Sequence, residues 1–208
     1  MKAKLKNPNE DLHTIREIME RSSKFLSLSG LAGIFAGACA LIGAAIAWFF
    51  ILDSEIIQYN EYKQNSDIGF YLALDAILVL VFALLGAVYF SYRKASKAGQ
   101  KLWTKSTQRL LIHLMIPLVS GGIFSLILIY RNNLELVIPV MLTFYGLSLV
   151  NAGKFTFGEI HNLGLTQIVL GILALIFINQ GLLFWTLGFG LMHIVYGMVM
   201  YYRHERER

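Results

Sequence analysis

The sequence predicts an all-α polytopic membrane protein with six transmembrane helices, and three observations carry that prediction. Apolar residues make up 56% of the 208-residue chain, above the 45–50% usual in soluble domains. They gather in six stretches, residues 25–52, 68–92, 110–130, 134–151, 163–179 and 181–202. Each has about 18 residues or more, enough to cross a hydrocarbon layer of about 30 Å at about 1.5 Å per helical residue. Lysine and arginine alternate between the connecting segments: six precede the first stretch, one lies in 53–67, six in 93–109, then one at Arg131, one at Lys154 and three in the tail. Sixteen therefore fall on one side and two on the other. The positive-inside rule places both termini in the cytoplasm (N-in/C-in), together with the second and fourth connections.

Residues 1–24 form the longest polar piece and read as a cytoplasmic N-terminal domain carrying one amphipathic helix. Asn7 suits the N-cap, Pro8 the first helical position, and Glu10 completes an Asn-x-x-Glu box. Leu12, Ile15, Ile18, Met19 and Phe25 recur at helical spacing, while Arg16, Glu17, Glu20 and Arg21 fall off that face. Such a helix either lies on the headgroups or docks a partner protein or a second copy. Residues 25–208 form one six-helix transmembrane domain, because no remaining polar piece is long enough for a soluble catalytic domain.

In the first span Ala32, Ala36, Ala40 and Ala44 recur at steps of four beside Gly33 and Gly37. Such a face admits close helix contact through dispersion and Cα–H···O contacts. Cys39 is the single cysteine, so no internal disulfide can form, and it reads as a packing residue. This apolar run is about twice a signal-peptide core, so no cleavable signal is expected. Asp53, Glu55, Glu61 and Asp67 outnumber Lys63 in the first connection, which suits the outer side.

Asp75 is the sharpest functional signal of the second span, since an intramembrane carboxylate costs several kcal/mol unless paired, protonated or hydrated. Counting from Ile68, it lies about 10 Å below the outer boundary. It either marks a polar path or joins helices through a hydrogen bond, for instance to Tyr71 or Thr186. The basic connection 93–109 contains Leu102-Trp103 and should rest against the inner leaflet, where cations favour anionic headgroups. Trp48, Phe49, Phe50, Phe70 and Tyr71 on the outside, with Tyr89, Tyr92, Tyr201 and Tyr202 on the inside, read as an anchoring belt.

Pro117 with Ser120-Gly121-Gly122 in the third span, and Pro139 in the fourth, can free carbonyls for a cation or polar solute. His113, one turn inside the cytoplasmic end of span three, joins Glu159 and His161 of the expected 152–162 loop as pH-sensing candidates. No metal-ligand spacing accompanies them, so no metal is expected. His193, near the middle of span six, and Tyr196 one turn on are candidates for binding or a proton path. The alternative for His193 is a satisfied interhelical hydrogen bond.

Gly122-Ile-Phe-Ser-Leu-Ile-Leu-Ile129 aligns with Gly171-Ile-Leu-Ala-Leu-Ile-Phe-Ile178, five of eight positions being identical, and Gly37-Ala-Cys-Ala-Leu-Ile42 fits the same frame less closely. Their hairpin partners carry Phe144-Tyr145-Gly146 and Val195-Tyr196-Gly197. The pattern suggests three hairpin repeats of one orientation, related about the membrane normal. Six Gly-rich spans with short outer turns resemble, in layout, small six-helix bacterial acid-resistance membrane proteins. That resemblance rests on glycine placement and implies no residue role.

The chain lacks a phosphate-binding Gly-x-x-x-x-Gly-Lys loop, a nucleophile elbow and a dinucleotide fingerprint, so neither catalysis nor a cofactor is expected. Nucleic acid is not expected as a partner either, since the +5 net charge is explained by topology. The expectation is an integral protein of a bacterial plasma (inner) membrane, acting as a small permease or channel for a proton, ion or small solute. The alternative is a membrane sensor or accessory subunit that binds a partner through its N-terminal helix. Expected partners are the lipid bilayer and a second copy or another membrane protein.

Overall fold

The computed structural model describes residues 25–51 and 66–206. The amphipathic helix expected over 7–24 and most of the acidic connection lie outside these residues. Six helices are long and apolar enough to cross a membrane, and no strand occurs among the described residues. Helix α1 spans Gly30–Ile46 and continues as a π-helical turn, Ala47–Ile51; α2 spans Ser66–Lys97 and α3 Lys105–Tyr130. A 3₁₀ turn, Leu134–Leu136, leads into α4, Val137–Gly153, and α5 follows at Gly158–Ile176. Helix α6, residues 181–204, is composite: Gly181–Trp185, a π-helical stretch Thr186–Met192, and His193–His204.

Several boundaries differ from the hydropathy reading, and hydrogen bonding explains why. The first helix begins at Gly30, not at Phe25. The Phe25 N–H donates to the Phe155 carbonyl and the Thr156 hydroxyl donates to the Phe25 carbonyl, both at 2.7 Å. The backbone of Phe25 is thus committed to the α4–α5 connection and unavailable to a helix. Helix α5 starts at Gly158, so Glu159 and His161 lie on its first turns instead of in a loop. At the start of α3, Thr104 and Thr107 form a reciprocal capping box, with backbone-to-hydroxyl distances of 3.2 and 3.3 Å. Gly99, at φ +64°, turns the chain after α2, where a Cβ would be strained.

Helix α1 lies between α2 and α6, while α4 lies between α3 and α5; α6 joins the two groups. Two of these contacts bring backbone against backbone. Between α4 and α5, a Cβ on Gly146 would stand 2.6 Å from the Gly164 carbonyl oxygen, and one on Gly164 would stand 2.7 Å from that of Gly146. Between α1 and α6, a Cβ on Gly197 would stand 2.8 Å from the Gly30 carbonyl oxygen and 2.6 Å from the Ile34 nitrogen. No hydrophobic effect separates helix from lipid, so such close approach maximises dispersion between helices. Around these seams, Ala40, Ala44 and Trp185 form one buried cluster, and Leu142, Ala174 and Phe184 another.

The segment before α1, the α2–α3 and α4–α5 connections and the end of α6 meet at one end of the bundle. Ser27 donates to the Gln100 side chain at 3.0 Å, Lys94 pairs with Glu205 at 3.3 Å, and Arg203 pairs with Glu159 at 3.1 Å. We call this the basic end.

Candidate functional site

Within the bundle, polar side chains from two helices meet at one carbonyl, and a third helix joins them through the histidine. The Gly188 carbonyl lies in the π-helical stretch of α6. It accepts from Gln167 Nε2 of α5 at 2.8 Å and faces His193 Nδ1 at 2.9 Å. His193 Nε2 meets the Tyr145 hydroxyl of α4 at 2.8 Å. Widening the helix to a π turn redirects carbonyls that an α-helix would bind internally, and π-bulges concentrate at functional sites. Gly188 and Gly190 suit the widened turn because each is pressed by a neighbour's side chain, Leu142 and Leu41 respectively.

These contacts assign the imidazole tautomer. A carbonyl can only accept, so Nδ1 must carry a proton. In the neutral ring Nε2 is then the acceptor, and Tyr145 donates to it. Both ring nitrogens are occupied and His193 is buried at 8% exposure. Tyr145, Phe189 and Trp185 extend the ring as an aromatic column, with centroid separations of 5.2 Å from Tyr145 to Phe189 and 5.6 Å from Phe189 to Trp185. Gln167 is fully buried, and its Oε1 receives no hydrogen bond among the described residues. That oxygen stands 2.5 Å from where a Gly188 Cβ would be, so it occupies space that only glycine leaves.

The other expected site residues are dispersed. Asp75 on α2 faces α1, its carboxylate oxygens 3.2 and 3.5 Å from the position of a Gly43 Cβ. Neither Tyr71 nor Thr186 bonds to it; the Thr186 hydroxyl donates to its own helix at Leu182, 2.7 Å away. Tyr196 shares a hydrogen bond with Thr166 of α5 at 3.2 Å. His113 stacks on Phe155 with centroids 4.6 Å apart, and His161 lies against Gly153. Glu159 bonds to neither histidine. Its partners are Arg203 at 3.1 Å and His204 at 3.3 Å. Among the described residues no three His, Cys, Asp or Glu side chains group to hold a metal ion.

A second constellation sits at the basic end. His204 stacks on Phe157 at 4.2 Å, and Lys94 Nζ lies over the same ring at 5.0 Å. Lys94 also donates to the Leu28 carbonyl at 2.6 Å. Ser29 precedes α1 but its side chain caps nothing in that helix. Glu205, from the far end of the chain, caps it instead: Oε1 accepts from the Gly30 N–H at 2.5 Å and Oε2 from the Ser29 hydroxyl at 3.0 Å. A carboxylate there satisfies an orphan donor and complements the helix dipole.

Gln167, Lys94, His204 and Glu205 were not singled out from the sequence, and Tyr145 entered only as part of the hairpin repeat. Gln167 alone offered a signal, being an amide inside an otherwise apolar stretch. Comparison with protein-family models, with curated proteins and with solved structures finds no match.

Proposed function

We propose that this chain is a multi-pass protein of the plasma membrane, basic end in the cytoplasm, acting as a small permease for a proton, ion or small polar solute. One observation carries the reading: inside an apolar bundle Gln167 and His193 meet at the Gly188 carbonyl, and Tyr145 of a third helix bonds to His193. An ionisable side chain inside a membrane bundle is expensive, and its default reading is a pathway or binding site. The Tyr145–His193 pair supplies a proton relay. Protonation converts Nε2 from acceptor to donor, so the Tyr145 hydroxyl must stop donating and turn its own proton elsewhere. Asp75, facing Gly43 in the adjoining α1–α2 contact, is the second polar group of the path.

Three hairpins of one orientation underlie the architecture. The seams support this: Gly30 and Gly37 face α6 with the same seven-residue spacing with which Gly164 and Gly171 face α4.

The saturated ring of His193 and the backbone-to-backbone seams favour a second reading, a membrane sensor or accessory subunit with a dry, rigid bundle. Proteoliposome flux separates the two. His193→Gln keeps hydrogen-bonding capacity but takes no charge, and Asp75→Asn removes the carboxylate. The permease reading expects pH-dependent flux from wild type, loss of that pH dependence in His193→Gln and an altered profile in Asp75→Asn. Absence of flux from wild type across protons and common ions would reject the permease reading.

A further inference from the structure

Three aligned glycines, Gly37, Gly122 and Gly171, fare differently. A Cβ on Gly37 would stand 2.6 Å from the Gly190 carbonyl oxygen, and one on Gly171 3.0 Å from that of Pro139. Around Gly122 there is nothing within 4 Å. In a ring of three hairpins, α1 meets α6 and α5 meets α4, so the remaining seam pairs α3 with α2. That seam is open, since α2 lies along α1 and α3 along α4, but the two do not lie side by side. Sequence explains the opening. Seven residues before Gly37 and Gly171 stand Gly30 and Gly164, whereas seven before Gly122 stands Met115, which is exposed. A methionine there prevents the backbone approach that closes the other two seams.

The open seam ends in unbalanced positive charge. Arg93, Lys97, Lys101, Lys105 and Arg109 are exposed around the α2–α3 connection. Between Asp75 and Glu135 the sequence holds no acidic residue. Among the described residues no carboxylate lies within ion-pair distance of these five. Trp103 is 66% exposed beside them, as suits a ring seated at headgroup level.

We propose that the α2–α3 seam binds an anionic phospholipid, its phosphate held by Lys97, Lys101 and Lys105 and an acyl chain lying along Met115 and Gly122. A second copy is disfavoured as the occupant: a two-fold contact sets identical patches face to face, bringing the same cations together. The N-terminal 24 residues carry six basic and four acidic side chains, so they too bring net positive charge. The inference rests on the three-hairpin reading and is independent of whether the protein transports anything.

Native mass spectrometry of the full chain, released from micelles doped with phosphatidylglycerol and phosphatidylcholine of equal acyl length, tests this. Wild type should retain phosphatidylglycerol by on the order of tenfold over phosphatidylcholine, since each surface cation strengthens anionic-lipid attraction severalfold. Lys97→Gln/Lys101→Gln/Lys105→Gln should abolish the preference, and Arg131→Gln with Lys154→Gln should leave it intact. Gly122→Leu fills space that nothing occupies, so it should fold normally yet lower lipid retention of both kinds. A preference that survives the triple substitution overturns the proposal. So does full competition by free glycerol phosphate, which would show that the acyl chain takes no part. A disulfide-linked dimer through Gly122→Cys in a Cys39→Ala background would assign the seam to a second copy and also overturn it. Loss of pH-dependent flux, by contrast, would leave these outcomes unchanged.

Discussion

The α4–α5 seam offers the most direct test of the packing, through Gly146→Ala and Gly164→Ala. The new methyl group of Gly146→Ala would stand 2.6 Å from the Gly164 carbonyl oxygen and 2.8 Å from the Ile168 nitrogen. Ordinary contact begins at 3.4 Å, so the helices must part by about 0.8 Å locally. Ile168 Cγ1, at 2.7 Å, can move by a rotamer change, but the two backbone atoms cannot. Over-packing of this kind costs about 1–3 kcal/mol, against at most about 1 kcal/mol returned by alanine's higher helix propensity. Gly122→Ala is the control, since its methyl group would meet nothing within 4 Å. It should match wild type or gain a few tenths of a kcal/mol, roughly as surface helix positions do. Unfolding of the purified chain by graded sodium dodecyl sulfate, followed by circular dichroism, reads all three variants. If Gly146→Ala and Gly122→Ala unfold together, α4 and α5 do not approach as described and the argument for the seam fails.

Two further outcomes follow from the basic end. In a Cys39→Ala background, a cysteine at Asn133 should react with an impermeant thiol reagent in intact cells and one at Lys154 should not; labelling at Lys154 would reverse the assigned orientation. Glu205→Ala leaves the Gly30 N–H and the Ser29 hydroxyl without their acceptor and should destabilise by about 1.5–3 kcal/mol, as for hydrogen bonds to a charged group. Glu205→Gln keeps an acceptor and should lose less, so equal losses in the same unfolding assay would show that the cap is not the cause.

The sequence made the six helices legible because burial in lipid leaves a compositional mark that needs no partner: a long apolar run is sufficient. Helix ends were less legible, since Phe25–Ser29 is mostly apolar like the span it precedes, and bonds to Phe155, Thr156, Gln100 and Lys94 hold it out of the helix. His193 stood out as a lone imidazole, whereas Tyr145 was one aromatic among many. What joins them is the rotation and relative depth of α4 and α6, which periodicity along one helix does not encode. Glu205 was unreadable for a related reason: its acceptor role depends on Gly30, 175 residues away. Glu159 lies on the first turn of α5 and bonds to Arg203 and His204, while His113 stacks on Phe155 and His161 lies against Gly153, contacts between helices that one helix's periodicity does not encode.

Helix α6 ties the α1 seam to the polar centre, and that coupling is itself testable. The turn bearing His193 presses its backbone against α1: a Cβ on Gly33 would stand 3.2 Å from the His193 carbonyl oxygen and 3.1 Å from the Gly197 Cα. The same residue sends its ring the other way, to Tyr145 on α4. Gly33→Ala therefore demands a shift of only a few tenths of an ångström, tolerable to the fold but applied directly beneath the imidazole. Hydrogen bonds weaken steeply as geometry departs from linear, so the Tyr145–Nε2 bond should loosen while the chain stays folded. Selective ¹⁵N labelling of histidine reads this without any transport assay. Wild type should give a His193 signal with Nδ1 protonated and Nε2 unprotonated, and Gly33→Ala should move the Nε2 resonance while Gly122→Ala leaves it in place. Identical Nε2 resonances in all three would show that α6 does not transmit displacement from α1 to His193, and the polar centre would then answer only to α4 and α5.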